Sequence, residues 1–332
     1  MMRRREFITL LGGAAAAWPL AARAQQQGGR MQRVGVLVSL AESDPEGQGF
    51  VAAFRDGLRK LGWMEGRNIR FDYRFGAANV GAMEQFAKEL VALQPDLILS
   101  QSTVTTALVL QETHTIPIIF TSVSDPVGAG FVASLPRPGG NVTGFTANEA
   151  SLAGKWLELL REIAPRVNRV SYLYNPATAP FAEYYFNVFK AAAASVAVEA
   201  ITVPVNEASE LESVVAAQAR APNAGLIAMS DTFMITHRAE IISLAARYRL
   251  PAVYAFRYFT QDGRLLSYGF DQLDNFRRAA PYADRILKGI KPRDLPVQAP
   301  VKFEMTVNAK TAKALGLEVP SSFYWRADEV IE

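Results

Sequence analysis

Small hydroxyls, amides and two acids recur where apolar runs of this sequence end: Ser39; Gln101, Ser102 and Thr103; Ser122 and Asp125; Asn175; and Asp231. Hydroxyls and free backbone N–H groups at the start of a helix suit a carboxylate. Ser102 and Thr103 are expected in that position, with Ser122 one strand away. Asp231 suits an ammonium group, and Tyr254, Phe256 and Tyr268 would pack against an apolar or aromatic body. These are the tools of non-covalent capture. The hydroxyls and Asp231 have a plainer use as well, each as the N-cap of its own helix.

The sequence is poor in catalytic equipment. It has no cysteine, which excludes disulfides, Cys-ligated zinc, iron–sulfur clusters and Cys nucleophiles. Its two histidines exclude a three-His metal site. Neither gives the hydroxyls of Thr105, Thr106, Ser122 or Ser124 a neighbouring base in sequence. There is no P-loop, zincin motif or Gly-x-Ser-x-Gly elbow. The nearest approach to a dinucleotide fingerprint is Gly128-Ala129-Gly130-Phe131-Val132-Ala133, but Pro136 and Pro138 stop the helix that such a loop must open. Binding without catalysis, cofactor or metal is expected.

The net charge of +3 is local, since Arg3, Arg4, Arg5 and Arg23 stand against Glu6 in the first 24 residues. The neutral remainder offers no electrostatic footprint for nucleic acid. Those 24 residues read as an address: an arginine run, a short apolar run from Leu10 to Leu20, and the small-x-small site Ala22-Arg23-Ala24. Arg4-Arg5 followed by Phe7 reads as twin-arginine export, with the Sec route as the alternative. Cleavage after Ala24 would leave a periplasmic protein beginning at Gln25.

The elements that must position the candidate residues follow a strict rhythm. Arg33–Ser39 is a short apolar run, as a strand buried on both faces reads. Glu46–Leu61 carries Phe50, Phe54, Leu58 and Leu61 at helical spacing and ends at Gly62. The alternation continues with strand 69–75, helix 80–93, strand 96–100, helix 103–113 and strand 116–120. Gly and Pro crowd the segment 125–144, which reads as a connector. The rhythm restarts with helix 149–163, strand 169–174, helix 184–196, strand 199–203, helix 207–219, strand 225–229, helix 237–248 and strand 251–256. Strand 265–269, helix 274–287, strand 301–307 and helix 309–315 follow.

Strands separated by helices impose right-handed parallel crossovers. The expected fold is α/β: two doubly wound parallel-sheet lobes with a ligand cleft at a multi-segment hinge. The expected division is an export signal at 1–24, a linker at 25–32, one lobe from 33–144 plus about 264–290, and a second from 145–263 plus about 294–307. Residues 308–332 are assigned to neither lobe. Ligands of such sheets sit beyond the carboxyl ends of the strands. Ser39, Gln101, Ser102, Thr103, Ser122, Asp125, Asn175, Asp231, Tyr254, Phe256 and Tyr268 are therefore the candidate lining.

Several longer stretches carry a family resemblance. They are FRDGLRKLG at 54–62, EGRN at 65–68, IPIIF at 116–120, DPVGAGFVASLPRPGGNVTGF at 125–145, Asn175-Pro176, LLSYG at 265–269, KTAKALGLEVP at 310–320 and RADEVIE at 326–332. Over residues 32–332 the chain resembles the ABC-transporter substrate-binding proteins that include tryptophan and tyrosine binders, with the type 1 periplasmic binding-protein fold. The resemblance implies two lobes closing on a small ligand, an amino acid or an aromatic, carboxylate-bearing compound. It also implies a monomer that delivers its ligand to an inner-membrane ABC permease with a cytoplasmic ATPase. A periplasmic sensor that presents its closed form to a signalling partner would use the same cleft.

Overall fold

The computed structural model describes residues 30–147, 149–261 and 263–332. The export signal expected at Arg4, Arg5, Ala22 and Ala24 lies outside them. No helix of the described residues is long and apolar enough to cross a membrane.

The first lobe runs β1 (Gln32–Val38), α1 (Pro45–Lys60), β2 (Ile69–Phe75), α2 (Val80–Ala92), β3 (Leu97–Gln101), α3 (Thr103–Glu112), β4 (Ile118–Val123) and β5 (Val142–Thr146). The strands form a wholly parallel sheet in the order β2-β1-β3-β4-β5. Alternation across the pleat explains the unbroken apolar runs. Val34, Val36 and Val38 join one core, whereas Leu37 joins a second core on the opposite face with Leu90, Ile98, Val109 and Phe120.

Helix α1 starts where Asp44 accepts a hydrogen bond from the Glu46 N–H at 3.0 Å, with Pro45 at its first position. It ends with Arg59 and Lys60, followed by Gly62 at φ +94°.

The second lobe continues with α4 (Ser151–Ile163), β6 (Arg169–Tyr174), α5 (Ala182–Ser195), β7 (Glu199–Pro204), α6 (Leu211–Ala219), β8 (Ala224–Ala228), α7 (Thr232–Thr236), α8 (Arg238–Arg247), β9 (Ala252–Tyr254), α9 (Arg257–Gln261) and β10 (Leu266–Phe270). The chain then returns to the first lobe as α10 (Gln272–Leu287), whose Phe276 stacks on Phe50 of α1 at 4.9 Å. It closes with β11 (Phe303–Asn308), α11 (Ala309–Ala314), α12 (Ser321–Arg326) and β12 (Glu329–Ile331). The second sheet has the order β12-β11-β10-β9-β8-β6-β7. All its pairs are parallel except β10 with β11.

Four expectations need correction. The segment 125–144 is a connector only to Asn141, because Val142 opens β5, which pairs with β4. The expected helix 237–248 is preceded by a separate short one, since Asp231 caps Thr232–Thr236. The stretch 264–290 divides between lobes: β10 joins the second sheet and only α10 packs in the first. Residues 295–298 lie along β5 of the first lobe rather than in the second, with the Gln298 N–H on the Gly144 carbonyl at 2.9 Å. The unassigned C-terminal segment belongs to the second lobe through β12, and Arg326 pairs with Glu162 of α4 at 2.7 Å.

Among the described residues the chain therefore crosses between lobes three times, after β5, after β10 and before β11. Hydrogen bonds join these crossings. The Thr146 N–H donates to the Gln298 carbonyl at 2.9 Å, Asn275 Nδ2 to the Thr146 carbonyl at 2.9 Å, and the Asp271 N–H to the Lys302 carbonyl at 3.0 Å.

Candidate functional site

In each sheet, strand order reverses at one point: between β1 and β3 in the first, between β6 and β8 in the second. Open α/β sheets bind ligands at such switch points. The structure brings Ser39 and Gln101 to the first, and Asn175 and Asp231 to the second. Both pairs are closed by their own hydrogen bonds. Ser39 donates from its backbone N–H (2.9 Å) and its hydroxyl (2.7 Å) to Gln101 Oε1. The Asn175 N–H reaches Asp231 Oδ2 at 3.2 Å. Thr232 joins the two points across the lobes, donating its hydroxyl to Ser39 Oγ at 3.0 Å.

Asp231 is spent inside its own lobe. Its Oδ1 accepts from the Met234 N–H at 3.0 Å, capping α7, and from Thr178 Oγ1 at 2.8 Å. The side chain is buried, and burial pushes its carboxyl up to about 6 against the pull of these hydrogen bonds. The capping role accounts for Asp231, and an incoming ammonium would have to compete with donors already in place. Between the unfolded carboxyl's value near 3.8 and the folded value near 6, the native state holds a proton that the unfolded chain has lost. This group therefore adds stability as pH falls through about 6, levelling off below about 4. Asp231→Asn should erase a wild-type gain of roughly 2–3 kcal/mol over that window. Parallel urea melts at pH 4, 5, 6 and 7 would check it, and identical pH profiles for the two proteins would refute it.

Beside the packed switch points lies a cavity of about 590 Å³ framed by both lobes. The first lobe contributes Thr103, Ala107, Asp125, Gly128, Ala129 and Phe131; the second contributes Pro180, Phe181, Glu183, Tyr184 and Asn187. Its volume is within the ~300–1,000 Å³ usual for small-molecule sites. The Ser124 and Tyr185 hydroxyls share a further hydrogen bond between lobes, at 3.1 Å.

Strained backbone lies in the first-lobe wall at Asp125 and close to it in sequence at Ser102 and Ser122. Ser102, Ser122 and Asp125 have φ of 96°, 57° and 43°, a region that side-chain-bearing residues seldom occupy. Asp125 is held by the turn it begins. The Gly128 N–H donates to its Oδ1 at 2.8 Å, and a Cβ on Gly128 would overlap its carboxylate. This is why the Gly-rich run serves an acid rather than a dinucleotide. Ser102 uses its hydroxyl on Thr105, as the cap of α3. Thr103 Oγ1 accepts from the Ser124 N–H at 3.0 Å. Ser122 does not line the cavity, and its buried hydroxyl has no protein partner among the described residues.

The three aromatic candidates lie elsewhere. Tyr254 ends the three-residue strand β9 and turns under the Arg264 guanidinium, 4.3 Å away, beside a separate hollow of about 320 Å³. Phe256 packs among Tyr258, Phe259 and Phe270. Tyr268 sits within β10 rather than at its end, stacked on Phe303, while its carbonyl accepts from Trp156 Nε1 at 2.6 Å. The cavity's aromatic wall is instead Phe131, Phe181 and Tyr184. Sequence reasoning placed Tyr184 in a helix and gave it no ligand role. The available signal was position: the helix opens just after the carboxyl end of strand 169–174, where open α/β sheets place their ligands.

A family model described as "ABC transporter substrate binding protein" matches residues 34–331. A tyrosine-binding protein of Clostridioides difficile (strain R20291) is 26% identical over 305 residues, covering 90% of this chain and 86% of that protein. The crystal structure of a conserved domain protein from Vibrio cholerae O1 biovar eltor superposes with a TM-score of 0.84 at 28% identity, covering 91% of this chain and 100% of that one. An ABC domain from Streptococcus pneumoniae in complex with L-Trp superposes with a TM-score of 0.83 at 25% identity, over 91% and 100% of the two chains.

Proposed function

The chain belongs to the ABC transporter substrate-binding protein family, and on that premise we propose that it captures an amine-bearing small molecule between its lobes for an importer. The observation that carries this reading is the cavity itself, which both lobes wall and which neither could form alone. Asp125 receives the ammonium group. Phe131, Phe181 and Tyr184 hold the ligand's apolar or aromatic body. The reading contains no catalytic step.

Capture works through differential affinity. A ligand touching both walls favours the closed arrangement over the open one by the contacts that exist only when closed. The closed form is then the surface that an inner-membrane permease with its ATPase would recognise. Export by the segment 1–24 places the protein on the side of the membrane where solute arrives. The named relatives bind tyrosine and L-Trp, which supports an aromatic amino acid or a close analogue as the ligand class.

Thermal shift and isothermal titration of the purified protein against L-tyrosine, L-tryptophan and their analogues would test the reading. A cognate ligand at 100 times its Kd should add ~2.7 kcal/mol of stability. Asp125→Asn should weaken that ligand about ten- to a hundredfold, the worth of one hydrogen bond to a charged group. Undiminished binding by Asp125→Asn would remove Asp125 from the site.

A further inference from the structure

We infer that the second lobe carries a ligand site of its own, a hollow that takes a small organic anion: a carboxylate on an aliphatic body. The hollow lies between α8, β9 and α11 and shares no residue with the cavity walled by both lobes. Its occupancy therefore does not require the lobes to close.

The first ground is shape. The hollow encloses about 320 Å³, at the small end of the ~300–1,000 Å³ usual for small-molecule sites. Ile242 and Ala245 of α8 line it together with Leu250 and Leu265, and all four are buried. This apolar lining suits an aliphatic tail, whose burial removes hydrocarbon from water. The walls are fixed without a ligand. The Thr311 hydroxyl donates to the Gly263 carbonyl at 2.8 Å, tying α11 to the turn before β10.

The second ground is charge. Arg249, Arg264 and Lys310 line the hollow, and no described residue of its lining is Asp or Glu. Arg264 is 2% exposed. Its guanidinium lies 4.3 Å from the Tyr254 ring and 3.9 Å from that of Phe259, and it donates to the Arg238 carbonyl. That packing fixes a positive charge in the wall, where solvent and salt screen it little. Arg249 and Lys310 are exposed and can turn onto an incoming anion. An adjoining hollow of about 380 Å³ shares Arg249, Leu250 and Leu315 and adds Arg166, again with no Asp or Glu among its described lining. Apolar walls carrying cations are the chemistry that holds an amphiphilic anion: the tail meets the aliphatic surface and the carboxylate pairs with the arginines and lysine.

The test compares octanoate with octanamide, which share a tail and differ in charge, by isothermal titration of the purified protein at neutral pH and fixed ionic strength. Octanoate should bind tenfold or more tightly than octanamide. Arg249→Gln combined with Lys310→Gln should weaken octanoate about tenfold and leave octanamide unchanged, with the melting temperature of the wild type because both residues are exposed. Asp125→Asn, which alters the cavity between the lobes, should leave octanoate binding as it was. Equal affinities for the two probes would reduce the hollow to an apolar crevice and overturn the inference. So would an absence of octanoate binding up to about 10 mM, unchanged octanoate binding by the double variant, or loss of octanoate binding in Asp125→Asn, which would place that probe between the lobes. None of these outcomes bears on capture in the cleft, which the titrations with aromatic amino acids decide separately.

Discussion

Replacing Arg238 by glutamine is expected to weaken ligand capture by about ten- to a hundredfold while leaving each lobe folded. Arg238 begins α8 in the second lobe and reaches Asp44, the cap of α1 in the first. Its Nη1 donates to Asp44 Oδ2 at 2.6 Å and its Nη2 to Oδ1 at 3.2 Å. The two side chains are only 16% and 9% exposed, so water screens the pair poorly. The forked geometry suits guanidinium and carboxylate and would not survive wide separation of the lobes. Whatever the pair contributes therefore accrues to the closed arrangement alone. A hydrogen bond to a charged group is worth roughly 1.5–3 kcal/mol, which is the stated range in affinity.

Asp44→Asn is the gentler companion, since asparagine keeps the cap on Glu46 and loses the charge. The pair of variants and their double mutant form a cycle, and the double should lose little more than Arg238→Gln alone. Titration with the cognate ligand gives the affinities, and small-angle scattering gives the fraction of molecules that are open. Unchanged values of both for Arg238→Gln would show that the pair does not hold the lobes together.

Gly144→Ala should be far more damaging to the fold. Gly144 lies in β5, and a Cβ there would overlap the carbonyl oxygen of Phe120 on the adjoining strand as well as the Phe120 ring. The obstacle is backbone within a sheet, so it cannot swing aside. Overpacking of well-packed sites costs about 1–3 kcal/mol and sometimes more, and this site is at the upper end because β4 and β5 must separate to relieve it. With ~2–4 °C per kcal/mol for chains of this size, the melting temperature should fall by roughly 6 °C or more. Gly62→Ala is the contrast: nothing lies within 4 Å of its Cβ, and only the φ of +94° resists the change. A Gly144→Ala protein that melts with the wild type would show that the strands relax at no cost.

The sequence carries the fold more openly than the site. Strand 69–75 is legible as a period-two alternation, Ile69, Phe71, Tyr73 and Phe75 separated by Arg70, Asp72 and Arg74, and strand 169–174 by its β-branched and aromatic content, Val170, Tyr172 and Tyr174; each is bounded by breakers. Strand β5 is hidden, because Val142-Thr143-Gly144-Phe145-Thr146 follows a Gly/Pro-rich run and contains a glycine of its own. Only its non-local pairing with β4 makes it a strand. Ser39, Gln101, Asn175 and Asp231 do gather at the switch points, as residues at strand ends must. Periodicity says which residues share an edge; it does not say whether their polar atoms bond each other or an incoming molecule. Here they bond each other, and the open space lies one strand further along, beside Thr103 and Asp125. Tyr254, Phe256 and Tyr268 fail for a related reason. An aromatic residue near a strand end can turn into its own lobe as readily as out of it, and that choice is made by neighbours such as Arg264 and Phe303, distant in sequence or in spacing.

The three crossings between lobes, joined through Thr146, Asn275, Gln298, Asp271 and Lys302, bear on how small a ligand can be and still close the protein. Two bodies on a single tether can swivel about every axis, and aligning them costs rotational entropy each time they meet. Three tethers laced side by side leave bending as the one easy motion. Most of the orientational freedom that association ordinarily sacrifices is then absent from the open state too, removed once and for all when the chain folds. A solute of a dozen or so atoms has little interaction energy to offer, and this hinge lets nearly all of it be used for holding rather than for aligning.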